Sequence, residues 1–127
     1  MTSVKRDALS PSEVPGGAPT GFTCPRCGGS MWETTGEALG FRCRIGHELS
    51  LGAMLVEHGA CRRGKLVEAG RLLAEAAALN RRIAGYAQER GHALAAERLQ
   101  HEAGSLEQRS SEVMRMAISV LVDATDA

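Results

Sequence analysis

Cys24-Pro25-Arg26-Cys27-Gly28-Gly29 and Cys43-Arg44-Ile45-Gly46-His47 are two short clips of metal-ligand side chains, with fifteen residues between Cys27 and Cys43. Two thiolates two residues apart grip one ion from a single tight turn, and a glycine beside the last ligand permits the positive backbone angle that turns amides toward sulfur. Together the clips form a Cys3His set of Cys24, Cys27, Cys43 and His47. The segment that carries them, residues 22–49, is too short to fold by apolar burial alone and needs a staple. Met31 to Thr35 and Leu39 to Arg42 read as two short strands joined by a turn at Gly36-Glu37, which returns the second clip to the first. Trp32 and Phe41 are the expected core of this zinc ribbon.

Other uses of the cysteines fit less well. A redox C-x-x-C follows a strand and opens a helix, and Gly28-Gly29 opens none. Disulfide staples belong to oxidising compartments, whereas the N-terminal stretch lacks the apolar run of a secretory signal, so the expectation is a cytoplasmic protein with reduced thiols. An iron-sulfur cluster usually takes four thiolates, and zinc is favoured as the cofactor. Four protein ligands fill a tetrahedron and leave no position for water, so the ion is expected to be structural. Cys61 and His58, three residues apart, are read as unliganded fillers, with a metal half-site as the alternative; His58 could also replace His47 as fourth ligand, but it lies across the expected helix start and His47 is better placed. His92 and His101 read as solvated.

The flanking segments differ from the ribbon in composition. Residues 1–21 hold three of the four prolines and no apolar period, and read as a disordered tail or linker. Residues 50–127 contain no proline and are rich in alanine and leucine, with charges at helical spacing. There Ala96, Leu99, Ala103, Leu106, Ser110, Val113, Ala117 and Val120 alternate steps of three and four. Leu66, Ala69, Leu73, Ala76 and Ile83 step likewise, with Leu72, Leu79 and Tyr86 widening the stripe. Helices over about 50–88 and 92–122, capped by Ser50 and turning at Gln88 to Gly91, give an all-α antiparallel helical hairpin. Gly52, Gly59, Gly64 and Gly70 predict a bend, fraying or close helix contact. Met54, Leu55, Val67, Met114, Ile118 and Leu121 fall outside the seam, and pairing two hairpins into a four-helix bundle would cover them; a homodimer is expected.

Charge and motif content narrow the function. Fifteen Lys and Arg balance fifteen Asp and Glu, with no polycationic segment, which lowers the expectation of a duplex nucleic-acid or membrane-surface binder. No apolar run reaches the length of a membrane span. No nucleophile elbow, H-E-x-x-H or P-loop occurs, so a non-enzyme is expected. The reading is a zinc-binding interaction or regulatory module that acts through self-association, another protein or both. The alternative is a nucleic-acid-binding zinc ribbon in transcription control. It would use Arg26, Arg42 and Arg44, with the basic groups Arg62-Arg63-Gly64-Lys65 and Arg81-Arg82 on the helix; those groups otherwise read as a solvated face.

Phe22-Thr23-Cys24-Pro25-Arg26-Cys27-Gly28-Gly29, Met31-Trp32-Glu33 and Phe41-Arg42-Cys43-Arg44-Ile45-Gly46-His47, followed by an Ala/Leu/Glu/Arg helical stretch, resemble the C-terminal extension of CheB-like chemotaxis protein-glutamate methylesterases. The resemblance covers about residues 22–122 and is specific in the ribbon rather than in the helices. It implies the same zinc ligands and a link to chemosensory or two-component signalling. The family's esterase domain and its Ser-His-Asp site are missing from this sequence, so the resemblance carries over no activity. A subunit completed by a separate catalytic chain is the third reading.

Overall fold

A computed structural model describes residues 17–35 and 39–126 of the chain, with side chains to residue 120. Four strands precede two helices: β1 (Pro19–Thr23), β2 (Ser30–Thr34), β3 (Gly40–Cys43), β4 (Glu48–Ser50), α1 (Leu51–Glu89) and α2 (Ala93–Asp126). A small antiparallel sheet with a Cys3His cluster followed by a helical hairpin is the class the sequence predicts. The chain divides into two compact units, Met1–Cys61 and Arg62–Ala127, with the boundary inside α1.

In the first unit the strands form an antiparallel meander in the order β1-β2-β3-β4. Sequence patterning finds only the central pair. β1 and β4 are additions, and they make each ligand clip the loop of a β-hairpin. In an antiparallel meander, alternate loops lie at the same end of the sheet, so the β1-β2 and β3-β4 loops are brought side by side. β1 begins at Pro19, within the stretch 1–21 expected to be a tail; an edge strand tolerates a proline that a central strand would not. Its register shifts between Pro19↔Trp32 and Thr23↔Ser30. The Thr20 hydroxyl bridges the irregularity, donating to Met31 O at 2.8 Å and accepting from Phe22 N at 3.0 Å. Residues 1–16 and the expected turn at Gly36-Glu37 lie outside the described residues.

The register decides which side chains meet. Met31 pairs with Cys43, Glu33 with Phe41, and Phe41 with Leu49. Directly opposite residues share a face, which puts Met31, Cys43, Phe41 and Leu49 together. The core is Cys24, Met31, Cys43, Leu49 and Met54, with Phe41 and Ala53 packed against it. Phe22 adds an edge-to-face contact on Phe41, with ring centroids 6.1 Å apart. Two expectations are corrected here. Trp32, adjacent to Met31 in β2, projects from the other face, where the Arg44 guanidinium sits 5.9 Å from its ring centroid. Met54, assigned above to an interface between hairpins, is buried in the ribbon, one turn into α1. Ser50 caps that helix, accepting a hydrogen bond from Ala53 N at 3.1 Å.

In the second unit α1 ends in a Schellman turn. His92 N donates to Ala87 O at 2.8 Å and Gly91 N to Gln88 O at 3.1 Å, with Gly91 at a φ of 77°. The helices then pack along a seam of small residues: Ala77 and Ala84 on α1, and Ala96, Ala103, Ser110 and Ala117 on α2, are buried at intervals of seven. Gly70 continues the α1 series. The α2 phase is the predicted one. On α1 the small-residue line is shifted by one from Ala69, Ala76 and Ile83 to Gly70, Ala77 and Ala84, because Gly70 is a contact point rather than a break. A Cβ on Gly70 would lie 2.7 Å from Met114 Sδ. The Ser110 hydroxyl donates to Gly70 O at 2.7 Å, and Arg81 pairs with Glu107 across the helices.

Helices this close leave no room for branched side chains at the seam. Ala103→Leu should cost about 1–3 kcal/mol through overpacking, while Ala95→Leu on the exposed face of α2 stays within about 0.5 kcal/mol of wild type. Urea unfolding followed by circular dichroism at 222 nm checks both.

Candidate metal centre

The first clip is built by backbone geometry. Cys24 N donates to Gly29 O at 2.6 Å and Gly28 N to Cys24 O at 2.8 Å, closing the β1-β2 loop around Cys27. Gly28 has a φ of 77° and Gly46, its counterpart in the second clip, 104°. An L side chain at either position would be strained. The second loop closes with Gly46 N to Cys43 O and Cys43 N to His47 O, both at 3.1 Å. His47 N also donates to Cys43 Sγ at 3.3 Å.

The four ligand atoms, three Sγ and His47 Nδ1, all lie within 4.8 Å of one another. Cys24 Sγ is 3.6 Å from His47 Nδ1, Cys43 Sγ is 3.4 Å from it, and Cys27 Sγ is 3.7 Å from Cys43 Sγ. A tetrahedral ion bound to sulfur at about 2.3 Å and to nitrogen at about 2.05 Å requires S···S edges of about 3.8 Å and S···N edges of about 3.6 Å. The three observed edges lie within 0.2 Å of those values. The cluster therefore fits a metal ion, and it unites all four residues that the spacing of the clips selects.

Electrostatics around the sulfurs are uneven. Burial raises the Cys43 thiol, but amide hydrogen bonds, with His47 foremost, outweigh it and hold the group below its ordinary value. Desolvation pushes the Cys27 thiol up, although that residue is the exposed member of the set. The remaining cysteine, Cys61, is half-buried on α1 and, among the described residues, joins no group of three metal ligands; the same holds for His58. His92 and His101 are exposed on the hairpin.

Sequence reasoning missed the strap that ties this centre to α1. Arg26, between the two cysteines of the first clip, makes a fork with Glu57: Nε to Oε1 at 2.7 Å and Nη2 to Oε2 at 3.0 Å. The hydrogen bonds from Arg26 hold the Glu57 carboxyl below the usual glutamate range. A depressed carboxylate adds stability that is complete above the unfolded-state value and is lost as pH falls through the folded-state value. The partners are thirty-one residues apart, and no local periodicity signals the pair.

No family model, curated protein or solved structure matches this chain.

The centre makes a differential prediction for its cysteines. Cys43→Ser should lose tight metal binding, and Cys61→Ser should retain the wild-type metal content, as read by elemental analysis after gel filtration. Glu57→Gln should keep the metal content but release the ion faster to a chelator, since the first clip loses its hold on α1.

Proposed function

We propose that the chain is a non-catalytic zinc-binding module for protein–protein interaction, with the ion as its structural staple. Three sulfurs and one imidazole within 4.8 Å of one another, with three of their separations at tetrahedral edge lengths, carry this reading. A mixed thiolate and imidazole set suits borderline-soft Zn²⁺, and a site filled by four protein ligands supplies folding energy rather than an open coordination position. Cys24, Cys27, Cys43 and His47 would hold it. In zinc-finger peptides such binding is worth on the order of 10 kcal/mol or more, enough to fold a unit whose buried core is five side chains.

A module so held serves by presenting surface. Its helices keep large apolar side chains at solvent, including Leu72, Leu79 and Ile118, and these support a protein partner. The resemblance to the CheB-like extension directs the search for that partner to chemosensory and two-component proteins, and the balanced charge supports a cytoplasmic protein ligand over a polyanion.

One observation favours the nucleic-acid alternative. Trp32 lies outside the core with Arg44 stacked on it and Arg42 as its cross-strand neighbour, an aromatic and cationic face of the kind that stacks bases. Two features offset it: Arg26 is engaged by Glu57, and Glu48 stands opposite Arg42.

Purified protein should carry one zinc ion per chain. Chelation should unfold the ribbon, reported by the fluorescence of Trp32, the only tryptophan, while helicity at 222 nm largely persists. Substoichiometric metal, or a ribbon indifferent to chelation, would overturn the zinc assignment. Affinity for single-stranded DNA or RNA that falls steeply with salt and is lost on reversing Arg42 and Arg44 would replace the protein-interaction reading with the alternative.

A further inference from the structure

The second half of α1 carries an apolar stripe that its hairpin partner does not cover. Leu72, Leu79, Ile83 and Tyr86 are each 43% to 56% exposed. At 100° per residue they fall within about 60° of one another, in a band about 21 Å long. A soluble helix face normally places charge there, and a band of four large side chains is the mark of an interface.

The charges beside the stripe state which partner fits. Glu75 and Arg82 flank it on one side, seven residues apart, and Glu68 and Arg90 lie near its two ends. In a parallel pairing with a second copy, Glu75 would meet Glu75 and Arg82 would meet Arg82. In an antiparallel pairing about a two-fold axis at Leu79, each residue i faces residue 158 − i of the other copy. Leu79 then meets its own mate and Leu72 meets Tyr86. On the flank, Glu75 comes within one residue of level with Arg82 and Glu68 comes level with Arg90, each pair formed twice. A single register thus matches both the apolar and the charged positions.

We infer that the Leu72-Leu79-Ile83-Tyr86 face of α1 is the interface of a homodimer, in which the α1 helices of two copies pack antiparallel across a two-fold axis at Leu79. This deepens the interaction-module reading by naming a second copy as the occupant. It depends on α1 alone, so its failure leaves the zinc assignment and any other protein partner standing.

Light scattering coupled to gel filtration of the metal-loaded full chain, at tens of micromolar, should give a dimer. Leu79→Glu puts two carboxylates together on the axis and should give a monomer with unchanged helicity at 222 nm. Glu75→Arg sets like charges face to face and should raise the dimer dissociation constant by about tenfold. The double swap Glu75→Arg with Arg82→Glu should restore it to within about threefold of wild type. A wild-type monomer would overturn the inference and leave the face to a different helix, as would a dimer that tolerates Leu79→Glu. A swap that fails to rescue Glu75→Arg would overturn the antiparallel register.

Discussion

The first unit is organised by the convergence of two hairpin loops on one point. A sheet of strands three to five residues long, with a core of five side chains, buries too little to hold its own shape. Two of those five side chains, Cys24 and Cys43, are themselves members of the candidate metal cluster. Core and candidate centre are therefore one object: the sulfurs of the cluster are also part of the apolar surface against which Met31, Leu49 and Met54 pack. What aligns the loops is the meander, which returns the chain to the same end of the sheet after every second strand, so the ligands need no long-range search once the strands pair.

The second unit follows a different physical rule. Its seam buries alanine, serine and glycine rather than leucine, so apolar area per contact is small and the gain comes from closeness. Gly70 shows the exchange: a glycine in a helix interior costs about 1 kcal/mol relative to alanine, and here it admits Met114 and lets the Ser110 hydroxyl reach a main-chain carbonyl. The larger side chains are displaced to the shoulders of the seam and beyond, which is why the hairpin shows so much apolar surface.

The ligands were legible in the sequence because metal chemistry fixes residue type and spacing together, and the helices were legible because a long proline-free stretch leaves few alternatives. What was lost was phase. In β2, bulk points to Trp32 as the buried residue, yet Cys43 faces the Cys3His cluster and Met31 stands opposite Cys43, so the pairing buries Met31 instead. On α1, alanines at nearly every turn make two neighbouring small-residue lines almost equivalent, and only contact with α2 selects the one through Gly70, Ala77 and Ala84. β1 and β4 were missed for a third reason. Strands of five and three residues containing Pro19, Gly21 and a ligand-bearing flank show no alternation, and their existence follows from the loops they complete.

Met54 gives the ribbon a boundary that its strands do not. Because this side chain joins, from the first turn of α1, the core that contains Cys24 and Cys43, and Glu57 one turn on grips Arg26, the ribbon does not end where its sheet does. A piece of the chain stopping at Ser50 would possess all four cluster residues and every strand, yet it would lack one of the five core side chains and the tether of its first loop. The smallest self-sufficient ribbon is therefore a hybrid of sheet and helix that extends at least through Glu57.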